Sequence, residues 1–436
     1  MRSIAIGLLG AGNVGCGVVR ILEENQDAIA QRVGARIAIK RVLLRHPGAR
    51  RATELPAAWK TTDPAEVLDD PDIRVVVEVM GGLEPARAHV LQALRNRKHV
   101  VSANKALLGT HGRELFAEAL RRGVSIHFEA SVAGGIPILR ILREGLASDR
   151  IDAVTGIVNG TSNYVLDAMT RTGARYEDAL AEAQAAGFAE ADPTMDVSGQ
   201  DSAQKLALLA LVAFGIRVDP TAIPTEGISR IRELDIAAAR DLGCVVKSIA
   251  VAQRVEGGLR ARVHPAHVPF GNVLAGVHGS YNAVLVESRA LGRSLYYGRG
   301  AGMMPTGSAV VSDIVEVCRA VVSFSDRGPP TEALSSIVDA QPLGTGDERH
   351  ENYLSVQVPN VPGVLGRVAG CLGAHGISIK RVNQDPRAPD VPVDMVIVTE
   401  AVQDARITAA LAELDGFDTT LAPALRLRIL PQDPLD

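Results

Sequence analysis

The sequence predicts an α/β protein with three parts: a Rossmann-type doubly wound parallel sheet, an α+β substrate and dimerisation domain, and a small C-terminal unit of ferredoxin-like order. A glycine-rich turn between an apolar strand and a helix near the start predicts the first part. Strand and helix patterns that alternate through the first third of the chain predict that its sheet is parallel. A β-α-β-β-α-β pattern near the end predicts the third part.

Composition narrows the class of protein. Of the 436 residues, 47% are hydrophobic and 22% are charged, and the formal net charge is -4, as in many globular enzymes. At this charge we expect neither a nucleic-acid partner nor a polybasic membrane patch. The cysteines form no C-x-x-C pair, which predicts reduced, buried thiols at Cys16, Cys244, Cys318 and Cys371. Neither a secretion signal nor a membrane-length apolar segment is apparent, so a cytoplasmic location is expected.

The first predicted unit opens on an apolar strand at 3–9, the turn G-A-G-N-V-G, and a helix with its apolar residues on one stripe. The three glycines suit a tight turn, a close backbone approach to a pyrophosphate, and close packing of the helix on the strand. We therefore expect a nicotinamide dinucleotide here. The candidate cofactor-binding residues of this turn are Gly10, Gly12, Asn13, Val14 and Gly15.

The rest of the nucleotide domain, expected over 1–135, alternates strands and helices. Strands are predicted at 36–44, 75–79 and 100–102, and helices at 84–97 and 111–122. The sequence S-A-N-K places Asn104 and Lys105 after a strand, at the edge where open α/β sheets bind their ligands. Lys105 is therefore a candidate for both cofactor binding and catalysis.

The end of the second strand usually decides between NAD and NADP. An acidic residue there accepts from the ribose 2′-hydroxyl of NAD, but Arg45 follows the strand in this chain, with His46, Arg50 and Arg51 close by. These cations would favour a 2′-phosphate. NADP is therefore the expected preferred cofactor, with Arg45 as the first candidate residue, and NAD is the alternative.

The middle of the chain, 136–299, is expected to form the α+β domain. Strand-like alternation in I-D-A-V-T-G-I precedes helical patterns at 162–171, 177–186 and 201–214. The stretch F-A-E-A-D-P-T-M-D-V-S-G-Q-D-S-A-Q-K-L then crowds four carboxylates before a lysine: Glu190, Asp192, Asp196, Asp201 and Lys205. Like charges at this spacing either project into solvent or surround a cation. Asp192, with Pro193 directly after it, is expected to form a turn. Lys205 lies on the same face of the predicted helix as Asp201. The residues after Lys205 are almost wholly apolar, so Lys205 is expected at the boundary between solvent and the protein interior.

Proline, glycine and charged residues accumulate at 325–332 and 342–349, which predicts a linker over 326–349. The unit that follows, 350–431, begins with the strand Y-L-S-V-Q-V and closes with the strand A-L-R-L-R-I. Its β-α-β-β-α-β order is that of a ferredoxin-like fold. Small sheets of this type can leave an edge open for pairing.

Several motifs resemble the homoserine dehydrogenase family: V-V-S-A-N-K-A-L-L, F-E-A-S-V-A-G-G-I-P, G-I-V-N-G-T-S-N-Y, G-F-A-E-A-D-P-T-M-D-V-S-G-Q-D-S-A-Q-K-L and G-R-G-A-G-M-M-P-T. They follow the family's order from the first glycine turn to about residue 325. The C-terminal unit resembles the ACT regulatory module in N-V-P-G-V-L-G-R-V and H-G-I-S-I-K-R-V-N-Q. From the length we expect a monofunctional member, without an aspartate kinase domain.

The resemblance implies reversible, NAD(P)H-dependent reduction of L-aspartate 4-semialdehyde to L-homoserine, in threonine, methionine and isoleucine biosynthesis. It implies that Glu190 and Asp196 bind the amino-alcohol end of the substrate, with Asp201 near the same group. Carboxylates suit this task because substrate and product both carry an ammonium group. The resemblance also implies that Lys205 donates the proton and that Lys105 is the second lysine at the reacting centre.

A cation site and a returning segment are also implied. Backbone oxygens of F-E-A-S-V-A-G-G-I-P would hold a monovalent cation, expected to be Na⁺, at Glu129, Val132, Gly134 and Ile136. The segment at about 300–325 would complete the nucleotide domain and place Gly302 near the cofactor.

Regulation and assembly follow from the same resemblance. Asn360, Pro362 and Gly363 would form a loop that binds an amino-acid effector, implied to be L-threonine, and the chain would form a homodimer or homotetramer. The strand V-P-V-D-M-V-I-V-T departs from the family's commoner histidine-rich pattern, which leaves the strength of inhibition open.

Two other functions remain open on the sequence. One is a different oxidoreductase on a Rossmann scaffold, such as an aspartate or a semialdehyde dehydrogenase. A semialdehyde dehydrogenase needs a nucleophilic cysteine, and no cysteine here lies in a catalytic-looking run. The other is a non-catalytic sensor of NADP and an amino acid. The presence of both Lys105 and Lys205 favours the enzyme.

Overall fold

The computed structural model describes residues 2–323, 337–384 and 391–432. Contacts divide the chain into two compact units, each built from three stretches. The first unit comprises Met1–Val154, Ser202–Ile223 and Asn282–Gln341; the second comprises Thr155–Asp201, Pro224–Tyr281 and Pro342–Asp436. The domain boundaries given above stay predictions.

Strands and helices are numbered in chain order. The strands are β1 (Ser3–Leu9), β2 (Arg36–Leu43), β3 (Lys60–Thr61), β4 (Ile73–Glu78), β5 (His99–Ser102), β6 (Ile126–His127), β7 (Ile151–Ile157), β8 (Ile216–Arg217), β9 (Cys244–Val255), β10 (Gly258–Pro269), β11 (Tyr281–Ser288), β12 (Gly292–Arg299), β13 (Val338–Asp339), β14 (Arg349–Val358), β15 (Ile379–Gln384), β16 (Val393–Thr399), β17 (Val402–Gln403) and β18 (Leu425–Ile429). The helices are α1 (Asn13–Glu24), α2 (Gln26–Val33), α3 (Ala65–Leu68), α4 (Ala86–Arg95), α5 (Lys105–Arg122), α6 (Ile138–Arg140), α7 (Gly160–Thr172), α8 (Tyr176–Ala185), α9 (Thr194–Val197), α10 (Gln200–Phe214), α11 (Glu233–Asp241), α12 (Met303–Ser323), α13 (Val364–Ala374) and α14 (Asp404–Asp415).

The first unit contains a 6-stranded sheet in the order β3-β2-β1-β4-β5-β6. Every neighbouring pair in it is parallel. Because β1 lies between β2 and β4, the direction of winding reverses beside it, and ligands of such sheets bind at the carboxyl ends of the strands next to this reversal. The predicted doubly wound parallel sheet is confirmed.

Helix α12 belongs to the core of this sheet. Val310 and Ile314 are buried in the same cluster as the β1 residue Ile6. A Cβ atom at Gly17 of α1 would lie 2.1 Å from the Met303 carbonyl oxygen, so only glycine permits this approach. Residues just after 300 therefore pack on the nucleotide-type sheet, next to its first helix.

A long antiparallel hairpin, β9–β10, forms the centre of the second unit. The last strand, β18, pairs in parallel with β10, with Ala266 opposite Arg428 and His267 opposite Ile429. β14 follows β18 in the sheet, and β16 and β15 come next. The C-terminal strands therefore extend the sheet of the hairpin, a continuity that the sequence did not predict.

The C-terminal elements run β14, α13, β15, β16, α14 and β18, which confirms the predicted β-α-β-β-α-β order. The short strand β17 is an addition and pairs with β14. Both helices pack their apolar residues on this sheet, including Val368 of α13 and Ile407 of α14.

Some elements differ from the prediction. Helix α5 begins at Lys105, before the predicted start at 111, because the Asn104 side chain accepts from the Leu107 amide and caps it. Helix α2 was not predicted. Of the predicted linker at 326–349, residues 326–336 lie outside the described residues, and 337–349 contain the short strand β13 and the first residue of β14.

Two predictions from composition can be compared with the structure. All four cysteines are free and buried, as expected. Within the described ranges, no helix combines the length and the apolar character that a bilayer span requires.

Candidate active site

The three glycines of the first turn have separate tasks. Gly10 has a φ of 97°, in the left-handed region, as the tight turn requires. A Cβ at Gly15 would lie 2.8 Å from the Gly10 carbonyl oxygen, so the helix packs against the strand through glycine. A Cβ at Gly12 would meet nothing within 4 Å. Gly12 therefore faces open space at the start of α1, where helix amides favour an anion.

A pocket surrounds this turn. Its lining includes Gly10, Gly12, Asn13, Leu43, Arg45, His46, Arg50, Arg51, Met80, Gly81 and Glu84. The structure thus brings the glycine turn together with the arginines that follow β2. Val14 and Gly15 lie in the first turn of α1 and outside this lining.

The arginines after β2 are not equivalent. The Arg51 guanidinium donates to the carbonyl oxygens of His46, at 2.7 Å, and Ala49, at 2.7 Å, and so holds the 46–49 loop. Arg45 and Arg50 are exposed and line the pocket. Either of these two side chains is therefore better placed than Arg51 to reach a ligand.

A buried carboxylate connects the ends of β4 and β5. Glu78 accepts from Ser102 Oγ at 2.6 Å, from the amides of Met80 and Gly81 at 3.0 and 3.2 Å, and from Asn104 Nδ2 at 3.4 Å. Burial raises the pKa of Glu78, and these donors oppose the rise. We did not predict this role, although Glu78 is the only charge in the run V-V-V-E-V-M.

Lys105 is the first residue of α5 and is half-buried. Asn104, which caps that helix, also donates to the Gly82 carbonyl oxygen at 2.7 Å. The loop after β4 and the start of α5 are therefore fixed to each other, and Lys105 projects from an anchored backbone. Gly302 has a φ of 125° and directly precedes α12.

A single side-chain amide joins two of the predicted substrate carboxylates. Asn159 Nδ2 donates to Asp196 Oδ1 at 2.7 Å and to Asp201 Oδ2 at 2.8 Å. Asn159 Oδ1 accepts from the Ser162 amide at 2.7 Å and so caps α7. Asp201 is buried and Asp196 is half-buried. Two carboxylates held this close are further stabilised by a cation beside them.

Asn159 was missed as a functional residue. The signal for it was present in G-I-V-N-G-T-S-N-Y, where an asparagine precedes a helix in the N-cap position. That signal indicated a cap, but the two carboxylates lie 37 and 42 residues further along the chain. Sequence spacing alone could not bring them to the same amide.

The other acids of the stretch differ from this pair. Glu190 is exposed, and its backbone oxygen accepts from Gln184 Nε2 at 3.0 Å. Its side chain is not among the hydrogen-bond partners of the Asn159 side chain, which are Asp196, Asp201 and the Ser162 amide. Asp192 Oδ1 accepts from the Thr194 amide at 3.1 Å and from Thr194 Oγ1 at 2.6 Å. The turn-forming role predicted for Asp192 is confirmed.

Lys205 lies one turn after Asp201 on α10 and is half-buried. The next residues of that helix, from Leu206 to Leu211, are all buried. The side chain therefore stands at the boundary between the polar start of α10 and its apolar remainder.

The predicted cation loop is buried in the first unit. Ala133 and Gly134 have φ values of 50° and 20°, a backbone course that redirects successive carbonyl groups. Val132 and Ile136 are buried on either side of them. The Glu129 carboxylate accepts from two amides of the following helix, Leu139 and Arg140, each at 2.8 Å.

Asp313 adds a second buried acid beside this loop. Its Oδ2 accepts from the Glu129 amide at 2.8 Å. Burial and then the nearby Glu129 charge raise the pKa of Asp313 to about 8, and burial raises that of Glu129. The neighbourhood is thus rich in carboxyl groups and in backbone oxygens, the ligand type that hard cations prefer.

The predicted effector loop precedes α13. Gly363 has a φ of 90° and is the N-cap residue of that helix. Pro362 is exposed and Asn360 is half-buried. Pro362 and Gly363 of this loop are therefore accessible to solvent.

The first unit contains a parallel sheet with a dinucleotide-type turn at the point where the winding reverses. The chain also carries a pair of carboxylates joined by one amide and two candidate lysines. Together these features define the class of nicotinamide-dependent dehydrogenases. The family model described as "Homoserine dehydrogenase, NAD binding domain" matches residues 10–129, that for "Homoserine dehydrogenase" matches 137–315, and that for the ACT domain matches 352–416. The chain belongs to the homoserine dehydrogenase family.

Known homoserine dehydrogenases align with most or nearly all of this chain. The homoserine dehydrogenase of Pseudomonas aeruginosa is 42% identical over 432 residues, which cover 98% of this chain and 99% of the relative. That of Bacillus subtilis is 41% identical over 423 residues, 96% of each chain. Among solved structures, a homoserine dehydrogenase from Thiobacillus denitrificans has a TM-score of 0.90 at 40% identity and covers 99% of each chain. A hyperthermophilic archaeal homoserine dehydrogenase mutant in complex with NADPH has a TM-score of 0.63 at 25% identity, covering 76% of this chain and 100% of the other.

The alternative of a semialdehyde dehydrogenase gains no support from the thiols. Burial raises the pKa of Cys244 to about 11 and that of Cys318 to about 12, whereas a nucleophilic cysteine needs a lowered pKa.

Proposed function

We propose that this chain interconverts L-homoserine and L-aspartate 4-semialdehyde with Asp196 and Asp201 binding the substrate ammonium group, Lys205 transferring the proton, and NADP as the preferred cofactor. The observation that carries the proposal is the pair of carboxylates joined by Asn159, 2.7 and 2.8 Å from one amide nitrogen. An ammonium ion is the complement of such a pair, because each of its hydrogens can be donated to a charged oxygen. Glu190 belongs to the proposed substrate site as a third carboxylate.

A nicotinamide cofactor, when bound, would supply the hydride in reduction and accept it in oxidation. In the direction of reduction, the Lys205 ammonium donates a proton to the oxygen on which negative charge develops, and its positive charge stabilises that oxygen. In the direction of oxidation, the neutral amine takes the same proton from the hydroxyl. Lys105 would be the second cation near the reacting oxygen and would contact the cofactor. Burial on one side of Lys205 limits the access of water to this transfer.

For the cofactor we propose contacts from Gly10, Gly12, Asn13, Val14, Gly15 and Gly302, with Arg45 on the 2′-phosphate and Arg50 beside it. The pocket lining supports the order of the arginines, since Arg51 already binds backbone oxygens. The ratio of kcat/KM for NADP and NAD tests this. We expect Arg45→Ala to lower the NADP-to-NAD ratio by about tenfold. A tenfold preference for NAD that Arg45→Ala leaves unchanged would rule the assignment out.

The same proposal includes Na⁺ held by backbone oxygens of Glu129, Val132, Gly134 and Ile136. The redirected carbonyl groups and the buried acids beside the loop support it. We also propose L-threonine as an inhibitor bound at the 360–363 loop, and a homodimer or homotetramer. Millimolar L-threonine that alters neither the rate nor its cooperativity would leave the ACT domain without this regulatory role.

Homoserine-dependent reduction of NADP tests the substrate site. Asp196→Asn keeps the shape of the side chain and removes its charge, so we expect KM for homoserine to rise about tenfold or more while KM for NADP is unchanged. Asp192→Asn is the matched control, because it removes a charge from the same stretch but an asparagine still forms the turn. Equal kinetics for wild type and Asp196→Asn would contradict the proposed site.

A further inference from the structure

An ion pair links β18, the last strand of the ACT sheet, to Glu226 in the segment before α11. Arg428 Nη1 donates to Glu226 Oε1 at 2.8 Å, and Arg428 Nη2 donates to Asp404 Oδ2 at 2.9 Å. The Arg428 side chain is 7% exposed and that of Glu226 is 46% exposed. Arg428 is thus fixed inside the ACT domain by Asp404, and Glu226 is the more exposed partner.

The segment around Glu226 is held by backbone contacts. The Glu226 amide donates to the Val263 carbonyl oxygen at 2.8 Å, and the Ile228 amide donates to the Val197 carbonyl oxygen at 2.9 Å. A Cβ at Gly227 would lie 2.6 Å from the same Val197 oxygen. Residues 225–228 and 197–199 are therefore in direct backbone contact, too close for a side chain to separate them.

Residues 197–199 are the link between the two proposed substrate carboxylates. Asp196 immediately precedes Val197 on α9, and Asp201 follows at the start of α10. Both carboxylates depend on the same Asn159 amide, so a small shift of the link changes two hydrogen bonds together. A displacement at Glu226 reaches them through the Ile228–Val197 bond.

We propose that Glu226 is a positioning residue for the substrate carboxylates, held in place by Arg428 of the ACT domain. This inference rests on the proposed function, in which Asp196 and Asp201 bind the substrate ammonium group. The inferred effect of Glu226 on the two carboxylates is indirect and runs through the backbone. Glu226 sets the position of residues 225–228, and these residues in turn set the position of residues 197–199.

The test compares two ion pairs between the ACT domain and the rest of the second unit. Glu226→Gln keeps the side-chain length and removes the charge that Arg428 binds. Asp394→Asn does the same for the pair between Asp394 and Arg232, which are 2.8 Å apart. Arg232 is the N-cap residue of α11, and its guanidinium donates to Asp394 and Ser355 rather than to 197–199 or 225–228. Asp394→Asn is therefore the matched control for a general loosening of the ACT domain.

We expect Glu226→Gln to raise KM for homoserine by about three- to tenfold, with kcat within about twofold of wild type and KM for NADP unchanged. Asp394→Asn should leave KM for homoserine unchanged. If Glu226 had a purely structural role, Glu226→Gln would change KM for homoserine and KM for NADP together, or Glu226→Gln and Asp394→Asn would change KM for homoserine equally. Either result, or a Glu226→Gln variant with wild-type KM for homoserine, overturns the inference.

Asp196→Asn, assayed in parallel, separates this inference from the proposed function. If Asp196→Asn raises KM for homoserine and Glu226→Gln does not, only the role of Glu226 fails. If neither variant changes that KM, the proposed substrate site fails as well. Arg428→Gln and the double variant complete a cycle, in which we expect the two effects on KM to be clearly non-additive. Additive effects would mean that Glu226 acts without Arg428, which contradicts the proposal.

Discussion

The glycine turn of the first unit and the carboxylate pair of the second unit are both proposed to hold a charged ligand, and they are built in different ways. The turn is formed within six consecutive positions, and its proposed anion binding relies on backbone amides and on the absence of side chains at Gly10, Gly12 and Gly15. The carboxylate pair depends on Asn159, whose partners Asp196 and Asp201 are 37 and 42 residues away in sequence.

This difference has consequences for how each region responds to substitution. In the turn, added volume is the damaging change, because a Cβ at Gly15 would meet a backbone oxygen and a Cβ at Gly12 would enter the space proposed for the pyrophosphate. In the carboxylate region, lost charge or a lost hydrogen bond is the damaging change, since side chains hold one another in position. Substitutions that alter only volume or only charge should therefore separate the two regions.

The largest effect should follow from loss of the proposed proton donor on α10. Lys205→Ala is expected to lower kcat by roughly 100-fold or more, because it removes the group proposed to give and take the proton. Steady-state kinetics of homoserine oxidation measure it. Gln204→Ala, the adjacent half-buried position, is the control and should stay near wild type. A full-rate Lys205→Ala enzyme would refute the assignment.

Loss of the shared amide should come next. Asn159→Ala removes hydrogen bonds to two carboxylates, and we expect KM for homoserine to rise by roughly ten- to thirtyfold with KM for NADP unchanged. Ser162→Ala is a suitable control, because the Ser162 hydroxyl bonds only the backbone of Asp196, at 2.9 Å. If the two variants behave alike, the amide has no special part in binding.

The glycine turn should respond to volume. Gly12→Ala places a methyl group in open space, so we expect an unchanged thermal midpoint but about a tenfold higher KM for NADP, because the methyl group occupies room for the pyrophosphate. Gly15→Ala should instead lower the thermal midpoint, since its Cβ would lie 2.8 Å from a backbone oxygen. Thermal denaturation and kinetics together distinguish the two. A normal KM for NADP in Gly12→Ala would break the contrast between the regions.

The remaining effect is on stability and concerns pH and the joint between β10 and the ACT domain. His267 is buried against Tyr353, with ring centroids 4.6 Å apart, and burial lowers its pKa to about 3. The unfolded chain therefore binds a proton more readily between about pH 3 and about pH 6.5, so stability falls as the pH falls through this window.

Between about pH 7 and about pH 5 this group should cost about 2 kcal/mol of stability. His267→Phe should therefore lose less of its thermal midpoint over that range than wild type does. His46→Gln, at an exposed position, should follow wild type. Identical pH dependence in all three proteins would show that His267 is not buried in its neutral form.

Much of the molecule was predictable from the sequence because the signals were local. The glycine turn, the alternating strands and helices of the first sheet, and the β-α-β-β-α-β order of the end of the chain each follow from patterns within a few residues. The acidic stretch before Lys205 was identified as well, together with the turn at Asp192. What these features share is that neighbours in sequence are also neighbours in space.

Tertiary structure alone decided which of those groups meet. It placed Asp196 and Asp201 on the amide of Asn159 and left Glu190 exposed. It also placed the Glu78 carboxylate between the ends of β4 and β5, and it paired the last strand of the ACT sheet with β10. The physical reason is that a hydrogen bond or a strand pairing between distant segments depends on how the whole chain packs, and a local pattern carries no information about the partner. The sequence thus determined the kinds of chemistry available, and the packing determined their geometry.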